Sequence, residues 1–289
     1  MMCASCGTAA GADDDVKLKK CTACHLVRYC SVKCQKDHWP KHKKACKKRA
    51  AELRDELLFK QPESTHEEDC PICCHPLPLD PTHCTFMGCC CKVICRGCDY
   101  ANQAREESQK MESKCAFCRH PAPNSYEEHL RNIKKRIEAN DPAAFWNMGQ
   151  SCKEKGDYNG AFENFSKGTK LGNVEAQFEL SRLYHFGQGV EKDWKKELYH
   201  LEEAAIKGHP EARHNLGGFE MQSGRVERAV KHYIIAASLG LDDSIRLLKG
   251  SLFRSGLVSN EDLAAALRAH QAAVNATKTP QREKMAKYF

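Results

Sequence analysis

Four pairs of thiol or imidazole donors crowd the first 46 residues: Cys3-x2-Cys6, Cys21-x2-Cys24, Cys30-x3-Cys34 and His42-x3-Cys46. A second run follows: Cys70-Pro71-Ile72-Cys73, the triplet Cys89-Cys90-Cys91, Cys95-x2-Cys98 and Cys115-Ala116-Phe117-Cys118. Of 19 cysteines, 18 precede residue 119 and only Cys152 lies beyond it. In an exported chain this pattern would suggest disulfides. Residues 1–11 show no positive start followed by an apolar run, so the expected compartment is the reducing cytosol or nucleus, where such pairs ligate metal. Zinc takes four N or S ligands tetrahedrally, and two donors two or three residues apart reach one ion from a single turn. Each run therefore supplies eight ligands for two zinc ions, and neither is long enough to fold on an apolar core alone. The thiolate-rich spacing suits zinc better than an iron–sulfur cluster. Two of Cys89, Cys90 and Cys91 should ligate, and Cys89 and Cys90 are favoured. His83 and Cys84 are spare donors.

A site closed by four protein ligands has no open position at which to activate water, so these metals are expected to be structural. Cys74, Cys84, one cysteine of the triplet and Cys152 are left over, and none has a His/Asp setting of a nucleophile. No catalytic residue or organic cofactor site is visible.

The elements that must hold these ligands can be read from spacing. Residues 47–60 read as a helix with Leu53, Leu57 and Leu58 on one side, ended by Gln61-Pro62. Composition changes near residue 125, where cysteine gives way to alanine and leucine. Ser125-x-x-Glu128 is a capping-box signal, with Leu130, Ile133 and Ile137 following at helical spacing, and Asn140-Asp141-Pro142 punctuates the next start. Beyond it the chain repeats. Gly172, Gly208 and Gly240 each close a unit, and each unit opens with a small and an apolar residue four apart: Ala144/Met148, Ala176/Leu180, Ala212/Leu216 and Ser244/Leu248. Turns at Gly156, Gly187-Gln188-Gly189, Gly224 or Gly256 lead to a second helix, as at 198–207 and 226–239. One helical hairpin cannot cover its apolar face, but several stacked ones can. The expected fold class is mainly α: two small zinc-stabilised finger modules followed by an α-solenoid of helical-hairpin repeats. The boundaries read as a finger at 1–48, a helical linker at 49–66, a second finger at 67–122, a connecting helix at 125–140, repeats at 141–275 and a basic tail at 276–289. The tail from Thr277 reads as frayed, although Tyr288-Phe289 could dock. Trp146, Tyr184, Trp194 and Tyr233 read as inter-repeat core. His185, His200, His214 and His232 fall at interface positions of different repeats rather than forming a metal or acid/base set.

The 289 residues carry a formal charge of +7, with a basic stretch at Lys41, Lys43, Lys44, Lys47, Lys48 and Arg49. Fifteen thiolates and four zinc dications would change the charge by minus seven, leaving the loaded protein near neutral, so global charge does not support a nucleic-acid partner. The basic stretch reads as a solvated helix face, with nuclear import or a nucleic-acid contact as the lesser readings. No run approaches the ~18 apolar residues of a membrane span.

Three resemblances add to this reading. Arg28-Tyr29-Cys30-Ser31 and Cys34-Gln35-x2-His38-Trp39-Pro40-x-His42-Lys43-x2-Cys46 make residues 3–46 similar to the MYND zinc finger. The resemblance implies interleaved sites, with Cys3, Cys6, Cys30 and Cys34 on one zinc and Cys21, Cys24, His42 and Cys46 on the other. It also implies a protein-interaction module for short proline-containing peptides, with Trp39 and Tyr29 as a possible aromatic platform; the alternative is that both rings cover the small core. Some MYND proteins are histone methyltransferases, but no Asn-His-Ser-Cys-type stretch follows here, which argues against that activity. Residues 70–119 resemble a RING-type finger in the opening Cys-Pro-Ile-Cys and closing Cys-x-Phe-Cys-Arg; the triplet without a histidine departs from that family. By analogy Cys70, Cys73, Cys95 and Cys98 share one zinc, and the triplet pair joins Cys115 and Cys118 on another. The family implies a ubiquitin ligase that recruits a ubiquitin-conjugating enzyme, with Ile72 as an apolar contact and Arg119 as a bridging cation. The repeats are similar to Sel-one-like repeats, relatives of the tetratricopeptide repeat, best at 176–208 through Leu180, Tyr184, Gly187, Gly189, Val190, Asp193, Ala204, Ala205 and Gly208. Such stacks bind protein partners. The expected function is a zinc-binding interaction adaptor, with a RING-type ligase as the alternative.

Overall fold

The computed structural model describes residues 1–10 and 17–286. The chain forms two compact units, Met1–Lys60 and Gln61–Phe289.

In the first unit a short antiparallel ladder pairs β1 (Lys19–Lys20) with β2 (Arg28–Tyr29), in register Lys19 with Tyr29. α1 (Val32–Leu58) follows at once, and the Ser31 hydroxyl caps it by accepting from the backbone N–H of Cys34. The helix expected over 47–60 is the second half of this single helix, so the linker is helical only to Leu58. Pro40 sits inside the helix without ending it. Leu58 is buried, but Leu57 is exposed, so the expected apolar side is only partly used. The small core is made largely of ligands: Cys3, Cys21, Cys24, Cys46 and the Tyr29 ring.

The second unit opens with an extended linker and a β-hairpin. β3 (Cys84–Met87) pairs antiparallel with β4 (Lys92–Cys95), Cys84 facing Cys95 and Met87 facing Lys92, so the cysteine triplet lies at the hairpin's turn. α2 (Arg96–Ser108) leaves β4 directly, capped by the Cys95 sulfur. α3 (Tyr126–Glu138) starts at the expected capping signal. Ser125 accepts from the Glu128 N–H, while the Glu128 carboxylate accepts from Asn124, one residue before the usual partner.

Antiparallel helix pairs then stack: α4 (Pro142–Glu154) with α5 (Tyr158–Lys170), α6 (Val174–Phe186) with α7 (Trp194–Ile206), and α8 (Pro210–Gln222) with α9 (Val226–Ser238). Asp141, Asp157, Asn173, Asp193 and His209 cap five of these starts through their side chains. The small residues expected at the contacts, Ala144, Ala176, Ala212 and Ser244, are completely buried, which is what lets the helices approach closely. Phe165, Leu180 and Leu183 fill the space between the first two pairs, and Val230, Tyr233, Leu248 and Leu252 fill the last. The fourth unit is irregular: α10 (Asp242–Leu247) runs into a π turn over Leu248–Leu252, where Gly250 leaves helical backbone, before α11 (Asn260–Ala276).

Gly189 has a left-handed backbone, φ +69°, and a Cβ there would lie 2.4 Å from the Tyr158 carbonyl; the α6–α7 turn needs a glycine on both counts. Tyr184 and Tyr233 are buried as expected. Trp194 corrects the reading: it is 60% exposed, with the Lys195 ammonium 5.6 Å from its ring, because it occupies the first position of α7 rather than its packed face. The tail also differs from expectation. α12 (Pro280–Met285) packs on α2 with Met285 and Arg282 buried, a dock that no sequence periodicity announced. Tyr288 and Phe289 lie outside the described residues.

Candidate metal centres

Among the described residues four sets of four cysteine or histidine donors converge, each with all donor atoms within 4.8 Å of one another. With Zn–S bonds of about 2.3 Å, the edge of a tetrahedral thiolate site is about 3.8 Å, so the observed separations fit one ion per set.

In the first unit the sets interleave. Cys3 and Cys6 sit on a tight turn closed by the Gly7 N–H on the Cys3 carbonyl. They meet Cys30, just after β2, and Cys34 in the first turn of α1; Cys6 and Cys30 sulfurs are 3.6 Å apart, Cys30 and Cys34 3.5 Å. Cys21 and Cys24, on the turn between β1 and β2, meet His42 and Cys46, which share a helix face at i, i+4. Cys24 lies 3.2 Å from His42 Nε2, and Cys21 3.7 Å from Cys46. The Cys6 backbone N–H beside Cys3 holds that thiol below its usual range, to about 6, while the Cys34 and Cys6 side chains push Cys30 of the same set up to about 12.

The second unit crosses its pairs in the same way. Cys70 and Cys73 join Cys95 and Cys98 at the start of α2, with Cys73 and Cys95 sulfurs 3.9 Å apart. Cys89 and Cys90 join Cys115 and Cys118, at 3.3 Å for Cys89–Cys118 and 3.9 Å for Cys90–Cys115. The third cysteine of the triplet turns the other way. Cys91 packs with Ile133 and Ala144, and burial pushes its thiol up to about 12. Cys84 lies outside the donor sets too: its thiol donates to the Pro78 carbonyl, and burial raises it to about 12. His83 faces Asp80 and joins neither set.

Arg282 of α12 reaches the first of these centres. Its guanidinium donates to the carbonyls of Pro76 and His75 and lies 3.5 Å from the Cys73 sulfur. Such donors around a thiolate site set its charge and hold its loop.

The residues expected to touch partners fall in different environments. Trp39 is 40% exposed, its ring edge-on to the ligand His42. Tyr29 is buried and its hydroxyl meets His38 Nδ1 at 3.1 Å, so it belongs to the core rather than to a platform. Ile72, in the loop between Cys70 and Cys73, is 41% exposed. Arg119 is tied to α2: it donates to the Asn102 side chain at 2.9 Å and pairs with the buried Glu106 at 3.3 Å. In the repeats, His200 meets Gln177 and stacks on Tyr184, and His214 meets Ser244; burial holds both imidazoles below the usual range, His200 at about 4. These are neutral packing groups.

The donor geometry and the stack define a zinc-finger protein with a helical-repeat body. Residues 3–46 match the family model of the MYND finger. Human "Histone-lysine N-methyltransferase SMYD3" is 55% identical over 31 residues, 11% of this chain and 7% of that protein. Mouse "DAP3-binding cell death enhancer 1" is 24% identical over 203 residues, covering 56% of this chain and 40% of that protein. The chain thus spans less than half the length of these relatives. Among solved structures, a "Sel1 repeat protein from Oxalobacter formigenes" is 20% identical with a TM-score of 0.46, covering 60% of this chain and 52% of that one. Residues 3–46 are a MYND finger, and further cysteine clusters capable of holding zinc follow it.

Proposed function

We propose that the protein is a zinc-built adaptor that brings protein partners together through the MYND finger and the repeat surface. The carrying observation is that all sixteen expected ligands sit in closed four-donor sets, with Trp39 left exposed beside one of them. Closed sets hold loops in place and leave no coordination position for chemistry. On this reading Trp39 stacks on a short proline-containing peptide, and the aromatic side chains exposed on the repeats, Phe186, Trp194 and Tyr199, meet a second protein. The cytosol or nucleus is the matching compartment. Peptide-array binding by the full chain tests it: Trp39→Ala should abolish capture of proline-containing peptides while all zinc is retained. Equal binding by the variant would remove Trp39 from the site.

A second reading is a RING-type ubiquitin ligase. It is favoured by the crossed ligand pairs around the β3–β4 hairpin and α2, and by Ile72 exposed in the first metal loop. Arg119 would have to leave Glu106 and Asn102 to bridge a conjugating enzyme and ubiquitin. Ubiquitin discharge from a panel of charged conjugating enzymes, with Ile72→Ala and Arg119→Ala as controls, tests it; no acceleration by the zinc-loaded chain leaves the adaptor reading.

A further inference from the structure

A fifth cluster of metal-binding side chains lies away from the cysteines. His66 belongs to the linker that leads into the second finger, and its N–H donates to the Gly208 carbonyl at 3.2 Å. Gly208, φ +88°, lets the linker cross here, since a Cβ would come within 2.8 Å of the Ser64 carbonyl. The His66 ring stacks on His209, the N-cap residue of α8, with centroids 4.4 Å apart and planes 7° from parallel. Glu175, in the first turn of α6, puts one oxygen 2.7 Å from His66 Nε2 and 3.6 Å from His209 Nε2. The three donors lie within 4.8 Å of one another. The His209 side chain is 2% exposed, and among the described residues its Nε2 has no hydrogen-bond partner; neither has the buried His66 Nδ1.

We propose that His66, Glu175 and His209 bind a divalent transition-metal ion, zinc by preference, as a centre distinct from the four cysteine sets. Two imidazoles and a carboxylate form a donor set suited to zinc, cobalt, nickel and copper. With bonds of about 2.1 Å, a tetrahedral N/O site has edges of about 3.4 Å, so the separations of 2.7 and 3.6 Å must open slightly and the two near-parallel rings must tilt until both Nε2 lone pairs meet at one ion. The cysteine sets show the same closeness, 3.2 to 3.9 Å between the donors described above. Glu67, 3.7 Å from His66 Nε2, or water from the adjoining cleft of about 600 Å³, would complete the shell.

Charge points the same way. Glu67, Glu175 and Glu211 surround two imidazoles; against the effect of burial, Glu175 and Glu211 hold the His209 imidazole above its ordinary range, at about 9, and a bound dication would take the place of that proton in balancing the carboxylates. Glu211 lies 3.2 Å from His209 Nδ1 and would accept a proton there in the metal-bound form, freeing the Nε2 lone pair for the ion at the expense of the cap bond from Ala212, an arrangement that raises the basicity of a ligating histidine. The competing state has His209 Nδ1 accept the Ala212 N–H, 3.3 Å away, with Nε2 protonated and facing Glu175. Bound metal would clip the linker to α6 and α8 and fix the second finger on the repeat stack.

The test is metal content of the full chain, purified, equilibrated with Zn2+ and freed of loosely held ion. Wild type should carry five equivalents. Glu175→Gln and His66→Ala should each carry four with unchanged circular dichroism, their fifth-site affinity lowered by about 100-fold or more. Cobalt added after the cysteine sets are filled with zinc should give ligand-field absorption without thiolate charge transfer. Four equivalents in wild type and both variants, a fifth retained in both variants, or thiolate charge transfer in the fifth cobalt spectrum would each overturn the proposal; four throughout would identify the cluster as a hydrogen-bonded latch.

Discussion

Changing Cys91 to alanine should leave every zinc ion in place, whereas changing its neighbour Cys90 should remove one. Cys90 and Cys91 are adjacent and chemically identical, so only their direction separates them. Cys90 Sγ lies 3.9 Å from Cys115 Sγ and inside a donor set, while Cys91 is buried against Ile133 and Ala144. Cys91→Ala deletes one buried sulfur, about the size of a methylene, and should cost about 1 kcal/mol including the small cavity. For a unit of this size that is about 2–4 °C in Tm. Cys90→Ala breaks a centre of the kind worth about 10–16 kcal/mol in isolated fingers, so the hairpin turn and the 115–118 loop should lose their fold. Zinc counted by mass spectrometry, with a thermal melt on the same samples, reads both effects. Loss of one equivalent in Cys91→Ala with full occupancy in Cys90→Ala would refute the assignment and place Cys91 in the shell.

Chelation should unfold the two cysteine-rich segments while most helical signal survives, because α4 to α9 are held by apolar packing; loss of helicity in step with zinc would contradict this. Gly189→Ala should destabilise the repeats by more than about 1 kcal/mol in denaturant melts, since φ +69° and the Tyr158 carbonyl both exclude a side chain. Arg282→Ala should free α12 from α2 and cost about 1–3 kcal/mol by orphaning the Pro76 carbonyl, while the His75 carbonyl keeps the Cys70 N–H, read as faster hydrogen exchange in 280–285. Burial holds His200 at about 4, so its neutral form is the folded one. Stability from this group is full above about pH 6.5 and is lost as pH falls toward 4, on the order of 2 kcal/mol; His200→Gln should flatten that part of the pH–stability profile.

Metal ligation was legible because ligand spacing is local. Two donors on one turn must reach one ion whatever surrounds them, so Cys3/Cys6 or Cys115/Cys118 can be read without knowing the fold. The repeats were legible for a related reason: Ala144, Ala176, Ala212 and Ser244 recur because helix contacts of one geometry recur. Three features were not local and were read wrongly or missed. Trp194 is apolar enough for a core but begins its helix on the outside. The tail helix α12 is short and basic, and its dock depends on the surface of α2 and on Arg282 reaching Cys73. His66, Glu175 and His209 are separated by more than a hundred residues from first to last, and no spacing rule joins a linker histidine to two helix starts.

The pairing of sixteen donors and the stacking of hairpins both follow from neighbours along the chain and need no knowledge of the fold. Which pairs share an ion was open to spacing and came only from the family resemblances; the convergence of those donors, the turn of Cys91 into the core and the meeting of His66 with His209 rest on the tertiary structure. These choices depend on the direction in which a side chain leaves its turn, and that direction is set by what packs behind it: Ile133 behind Cys91, α2 behind α12, and the Gly208 crossing behind His66.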